Sequence, residues 1–115
     1  MADFIVRVEL HNANQSNYDW LHVWMQLYGF VRTITSDTGV DCHLLPAEYR
    51  WSGEGDVVSV RTLAYNAAQM TGCSHSSQVF QYVAAAWYLP RVEQSALIPK
   101  SALPATTNYL RRFIR

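Results

Sequence analysis

Apolar residues in this chain switch between two spacings, and that switching constrains its fold more than any other feature. Over residues 4–11, Phe4, Val6, Val8 and Leu10 point one way while Ile5, Arg7, Glu9 and His11 point the other. A period of two with a polar opposite side predicts a half-buried strand. Residues 12–17 form a polar run rich in Asn and Ser, both good helix caps. From Tyr18 the spacing becomes three and four, through Tyr18, Leu21, Met25 and Tyr28 with Trp24 and Leu27 beside them. This predicts an amphipathic helix, with Gly29 placed to stop it. Residues 30–35 are rich in β-branched side chains and predict a second strand, and Ser36, Asp37, Thr38 and Gly39 a turn. Residues 44–51 predict a third strand with Leu45, Ala47, Tyr49 and Trp51 on one face, and Pro46 marks an edge or a bulge. A second helix is expected over residues 56–70, capped by Asp56, carried by Val57, Val60, Leu63, Ala64 and Ala67, and ended by Gly72. Residues 78–89 read as a long final strand closed by Pro90.

Strand, helix, strand, strand, helix, strand is the order of an α+β, ferredoxin-like βαββαβ domain. Its expected form is a four-stranded antiparallel sheet with two helices on one face. Residues 1–90 would make this domain and residues 91–115 a C-terminal extension, punctuated by Pro99 and Pro104 and ending in one helical turn. The second sheet face must then be wetted, covered by the extension or buried in a dimer.

The 115 residues suit one domain, and a chain that is 50% hydrophobic and 16% charged can build a core. No apolar run approaches the ~18–20 residues of a membrane span, and the N-terminus lacks the basic and apolar regions of a secretory signal. A cytoplasmic chain without membrane insertion is expected, with Cys42 and Cys73 reduced. Formal net charge is zero, which argues against a broad basic face for nucleic acid. Lys100 is the sole lysine, so the positive charge is almost all arginine, the side chain suited to forked contacts with phosphate.

Three groups of residues could carry chemistry. Arg7, Glu9 and His11 share one strand face at spacings of about 6.5–7 Å. A base, an acid and an arginine in a row could cleave RNA by transesterification; the same residues would equally serve as the wet side of a strand. Arg32 and His43 flank the turn and, with Tyr49 and Arg50, could form a second polar cluster or cross-strand pairs that only stabilise the hairpin. In the extension, Arg111, Arg112 and Arg115 stand among Tyr109, Leu110, Phe113 and Ile114. No residue set marks a cofactor, and no third ligand accompanies Glu9 and His11, so no metal is expected.

The text Val6-Arg7-Val8-Glu9-Leu10-His11, Tyr18-x-x-Leu21-His22-x-x-Met25-x-x-x-Gly29-Phe30, Arg32-Thr33-Ile34-x-Ser36-Asp37-x-Gly39, His43-Leu44, Ala47-Glu48-Tyr49 and Ala67-Ala68-x-x-Thr71-Gly72 resembles the family of GhoS-type antitoxin endoribonucleases. The resemblance spans roughly residues 3–90. It implies a fold similar to the CRISPR-associated Cas2 nucleases and an antitoxin role, cutting the message of a partner toxin. The acid that ends the first strand in that fold is not an Asp here; Glu9 and His11 stand nearby. His22 occupies a helix position where the family motif carries a basic residue, which makes it a further acid–base candidate.

Two functions follow as expectations. One is a dimeric, metal-independent protein that binds and cleaves single-stranded mRNA, with His22, His11 and Glu9 catalytic and Arg32, Arg7, His43 and Arg50 on the RNA. The other is a non-catalytic phage or mobile-element module that binds and inhibits a host protein.

Overall fold

The structure is a computed structural model that describes residues 1–92. Its elements run β1 (Ala2–Leu10), α1 (Gln15–Leu27), β2 (Thr33–Thr35), β3 (Asp41–His43), β4 (Glu48–Gly53), α2 (Val57–Gln69) and β5 (His75–Tyr82). This is an α+β fold with antiparallel sheets and two helices. The expectations placed on the extension, including Arg111, Arg112 and Arg115, fall outside the described residues.

The period-two face of β1 organises the core. Phe4, Val6, Val8 and Leu10 are all buried, and they pack with Leu21 and Met25 of α1 and with Val60, Ala64, Ala67 and Ala68 of α2. Both helices therefore cover the same side of β1. Each helix opens on a capping box, Asn14 with Asn17 and Asp56 with Ser59, so orphan N–H groups of the first turn are satisfied by side chains. The α1 box sits inside the polar run that precedes Tyr18, so the helix begins earlier than its apolar stripe does. Gly29 (φ 93°) and Gly72 (φ 80°) follow the two helices in the left-handed region.

The sheet differs from the expected four strands. Three strands pair in the order β4-β1-β5, and β2 and β3 form a separate two-stranded sheet. The would-be fourth strand is joined to the main sheet by one backbone bridge among the described residues, at Val31 and Arg50, whose backbones exchange hydrogen bonds of 2.9 and 2.8 Å. Beyond that bridge the chain leaves β4 and pairs with β3 instead, Thr33 opposite His43 and Thr35 opposite Asp41.

Two strand boundaries are corrected for the same kind of reason. The strand expected over residues 44–51 begins only at Glu48, because Ala47 adopts a left-handed φ of 61° and the Glu48 N–H turns back to the Leu45 carbonyl. Residues 41–43 are a strand of their own. The last strand runs His75–Tyr82 rather than over residues 78–89. Its ladder with β1 extends from Leu10 opposite His75 to Asp3 opposite Tyr82, where β1 has almost run out of residues to offer. The described chain after Tyr82 is largely exposed and reaches the hairpin, where His43 N–H bonds the Pro90 carbonyl at 2.8 Å and Arg91 bridges Cys42.

Trp51 shows how tightly β4 is fitted. It packs on Phe4 with ring centroids 5.8 Å apart, and three glycines make room for its indole. A Cβ added at Gly53 would fall 2.8 Å from the Trp51 ring, at Gly29 3.2 Å, and at Gly55 3.7 Å.

Candidate functional site

The phases of the two β1 ladders sort the sheet residues by face. In an antiparallel pair, directly opposed residues lie on the same side. Asp3, Ile5, Arg7 and Glu9 of β1 therefore share the face away from the helices with Ser52, Arg50 and Glu48 of β4 and with Tyr82, Phe80, Gln78 and Ser76 of β5. No element among the described residues packs on this face.

Three of the expected site residues meet at one end of it. His11 Nε2 lies 3.0 Å from the Ser76 hydroxyl and 3.9 Å from Glu9 Oε1. Arg7, two residues back on the same face, is exposed and makes no ion pair or side-chain hydrogen bond among the described residues. An open cleft of about 480 Å³ adjoins them, lined in part by Arg7, Glu9, Ser76, Gln78 and the Pro46–Ala47 corner. The left-handed Ala47 still accepts from Val8 N–H of β1 (3.1 Å), and beyond Val8 the end of β1 has β5 on one side and the cleft on the other.

The opposite end of the face is differently built. Arg50 donates to the Ser52 hydroxyl (2.7 Å) and to the Thr33 carbonyl (3.2 Å), and Ser52 donates to Asp3 (2.6 Å). Arg50 is thus held in place rather than available. Beside it, Ile5, Phe80 and Tyr82 add apolar surface, Phe80 being 54% exposed.

The remaining expected site residues lie elsewhere. His22 is on the helix side of the sheet, 9% exposed, with Nδ1 sharing a 2.6 Å hydrogen bond with the Tyr49 hydroxyl. Burial first, and the charge of Arg32 second, lower its pKa to about 4 against the pull of Asp19, so the ring is neutral at pH 7. Burial likewise raises the Tyr49 phenol above its ordinary value. His22 and Tyr49 form a closed polar pair beneath the sheet, opposite the face that carries Arg7, Glu9 and His11. Arg32 stands near that pair, at the start of the hairpin whose first pair contains His43. The second polar cluster is therefore divided, with Tyr49 inside, Arg50 on the open face, and Arg32 and His43 at the hairpin.

Sequence reasoning missed Ser76, Phe80 and Tyr82 as members of the face. The signal was present in the alternation Ser76, Gln78, Phe80, Tyr82, but it becomes readable only once β5 is started at His75. Among the described residues, no three His, Cys, Asp or Glu side chains gather as a metal-binding group, and no helix is long and apolar enough to cross a membrane. The sequence matches no protein-family model and no curated protein sequence.

Proposed function

We propose that this chain is a GhoS-like, antitoxin-type protein of ferredoxin-like descent that binds single-stranded RNA across its open sheet face and cleaves it beside His11. The observation that carries this reading is Arg7, a guanidinium without a side-chain partner among the described residues, on an exposed sheet face next to a cleft that also presents Glu9, with His11 and Ser76 alongside. The order β5-β1-β4, with residue 31 bridged to β4, supports the ferredoxin-like part of the proposal.

Each side chain has a definite task in such a site. Glu9 or His11 accepts the 2′-hydroxyl proton, and the freed oxygen attacks the adjacent phosphorus. The bond to the 5′-oxygen breaks, and the other group of the pair protonates that oxygen as it leaves. The products are a 2′,3′-cyclic phosphate and a 5′-hydroxyl. Arg7 offers two donors to the phosphate as charge builds on it. Phe80 and Tyr82 provide rings on which unpaired bases can stack, at about 1–3 kcal/mol per base.

Glu48 stands opposite Arg7 on the same face, so this is not a broad basic groove. Phosphate contacts are then few, and log affinity should fall with log salt at a slope of only about −1. Arg7→Ala should weaken binding about tenfold and flatten that slope. Cleavage of a mixed single-stranded RNA pool in EDTA should be lost in His11→Ala and Glu9→Gln while both variants stay folded. Equal cleavage by wild type and both variants would dismiss the catalytic assignment.

The second reading, a module that binds and inhibits a host protein, is favoured by one observation: net zero charge combined with exposed Phe80 and half-buried Ile5 and Tyr82 on the face beside the β5 edge. It predicts no RNA cleavage and a stable complex with a protein partner.

A further inference from the structure

Among the described residues no strand pairs with the outer edge of β5, and the chemistry of that edge selects one kind of partner. The phase of the β1–β5 ladder follows from the bond between His11 N–H and the Ser74 carbonyl, 2.8 Å, at its end. Even-numbered residues of β5 therefore turn their N–H and C=O groups toward β1. Independently, the bond between Val8 N–H and the Ala47 carbonyl, 3.1 Å, commits the even residues of β1 to β4 and leaves its odd residues for β5. The two agree, so His75, Ser77, Val79 and Gln81 direct their backbone groups outward, where no described residue bonds them. The described chain that follows leads away from them, since by Pro90 and Arg91 it has reached the outer edge of β3, on the far side of β4.

An edge of this kind is ordinarily protected by a charge, a proline or a bulge. The β5 sequence His-Ser-Ser-Gln-Val-Phe-Gln-Tyr has no Asp, Glu, Lys, Arg or Pro, and its pairing with β1 is unbroken over eight residues. Two copies of such a strand can approach without like-charge repulsion.

We propose that this edge pairs with the β5 edge of a second copy, antiparallel about a two-fold axis at Gln78, to give a continuous six-stranded sheet. Such pairing requires opposed residue numbers to sum to an even value, so that like faces match; His75, Ser77, Val79 and Gln81 then exchange bonds with their counterparts. The open faces of the two copies become one surface, and Phe80 of each copy, 54% exposed in the single chain, lies along the seam. This deepens the dimer expected of an antitoxin-type protein, but it depends on backbone pairing alone and is tested without RNA.

The experiment is light scattering on the full chain over a range of concentrations, with three variants. Wild type should weigh twice the chain. Ser77→Pro removes an outward N–H and no bond to β1, so it should remain folded by circular dichroism and weigh one chain. Gln81→Lys, at an exposed position on the same edge, should weaken the dimer at least tenfold without altering the fold. Gln78→Pro, which removes an inward bond, should lower thermal stability, verifying the phase. A monomeric wild type overturns the proposal, and so does a dimer that survives both Ser77→Pro and Gln81→Lys. Because mass and RNA affinity are read separately, a failed dimer does not count against the RNA site, or the reverse.

Discussion

Replacing Tyr49 by Ala should cost about 3–5 kcal/mol of folding stability, the range for removing a large buried aromatic. Tyr49 is 0% exposed and sits on β4 in register with Val6, so it joins the central strand to α1. Its ring meets Phe30 edge-on at a centroid distance of 6.4 Å, and its hydroxyl holds His22. Deletion opens a void the size of a phenol and leaves a buried imidazole nitrogen without a partner. Tyr49→Phe isolates the second effect and should cost about 1–3 kcal/mol. Urea unfolding measures both. A cost below about 1 kcal/mol for Tyr49→Ala would show that this residue does not anchor β4 to the first helix.

Lowering pH from 7 to 4 should remove about 3 kcal/mol of stability through His22 alone. The sign follows from the two pKa values, 6.5 for the free side chain and about 4 in the fold, where burial and then Arg32 oppose the charged form. As pH falls below 6.5 the unfolded chain takes up a proton that the folded chain refuses, so unfolding becomes easier. The stability is fully present above about pH 6.5 and is lost progressively down to about pH 4. Below that both states are protonated and the loss stops growing. Asp56 adds to the same trend, since hydrogen bonds from Ser59 hold its carboxyl below the usual range, and His75 adds to it because burial, then His11, lowers its pKa. Comparing wild type with His22→Gln cancels those shared contributions. The variant should show a much flatter decline between pH 6.5 and 4, and parallel declines would mean that His22 is not held neutral in the core.

What the sequence made legible was whatever a single element decides for itself. The β1 alternation, the α2 span with its Asp56 cap, and the stops at Gly29 and Gly72 are set by residues within a few positions of one another, and the structure agrees with each. Where the outcome depended on a partner, the reading failed. Strand β5 ends at Tyr82 because its ladder with β1 stops at Asp3 opposite Tyr82, although residues 83–89 are as rich in apolar side chains as any strand. Strand β4 starts late because Ala47 turns left-handed, which nothing in Pro46-Ala47-Glu48 demands. The fourth strand shrinks to a bridge at Val31 because β3, three residues long, competes for the same chain. The candidate site divides along the same line. Arg7, Glu9 and His11 were legible as one face because their period is local. The burial of His22 against Tyr49 joins residues 27 positions apart, and only the tertiary fold shows that the histidine faces inward.

We propose that single-stranded RNA meets the open face and not the helical face. Ultraviolet crosslinking of a short single-stranded RNA to the full protein, with the attached residues identified by mass spectrometry, tests it most directly. Both faces carry exposed rings that can crosslink, Phe80 on the open side and Trp20 and Tyr65 on the helices, each 50% exposed or more. Adducts are expected on Phe80 and Tyr82, and they should weaken in Arg7→Ala. Adducts confined to Trp20 and Tyr65, or none at RNA concentrations that saturate known single-strand binders, would contradict it.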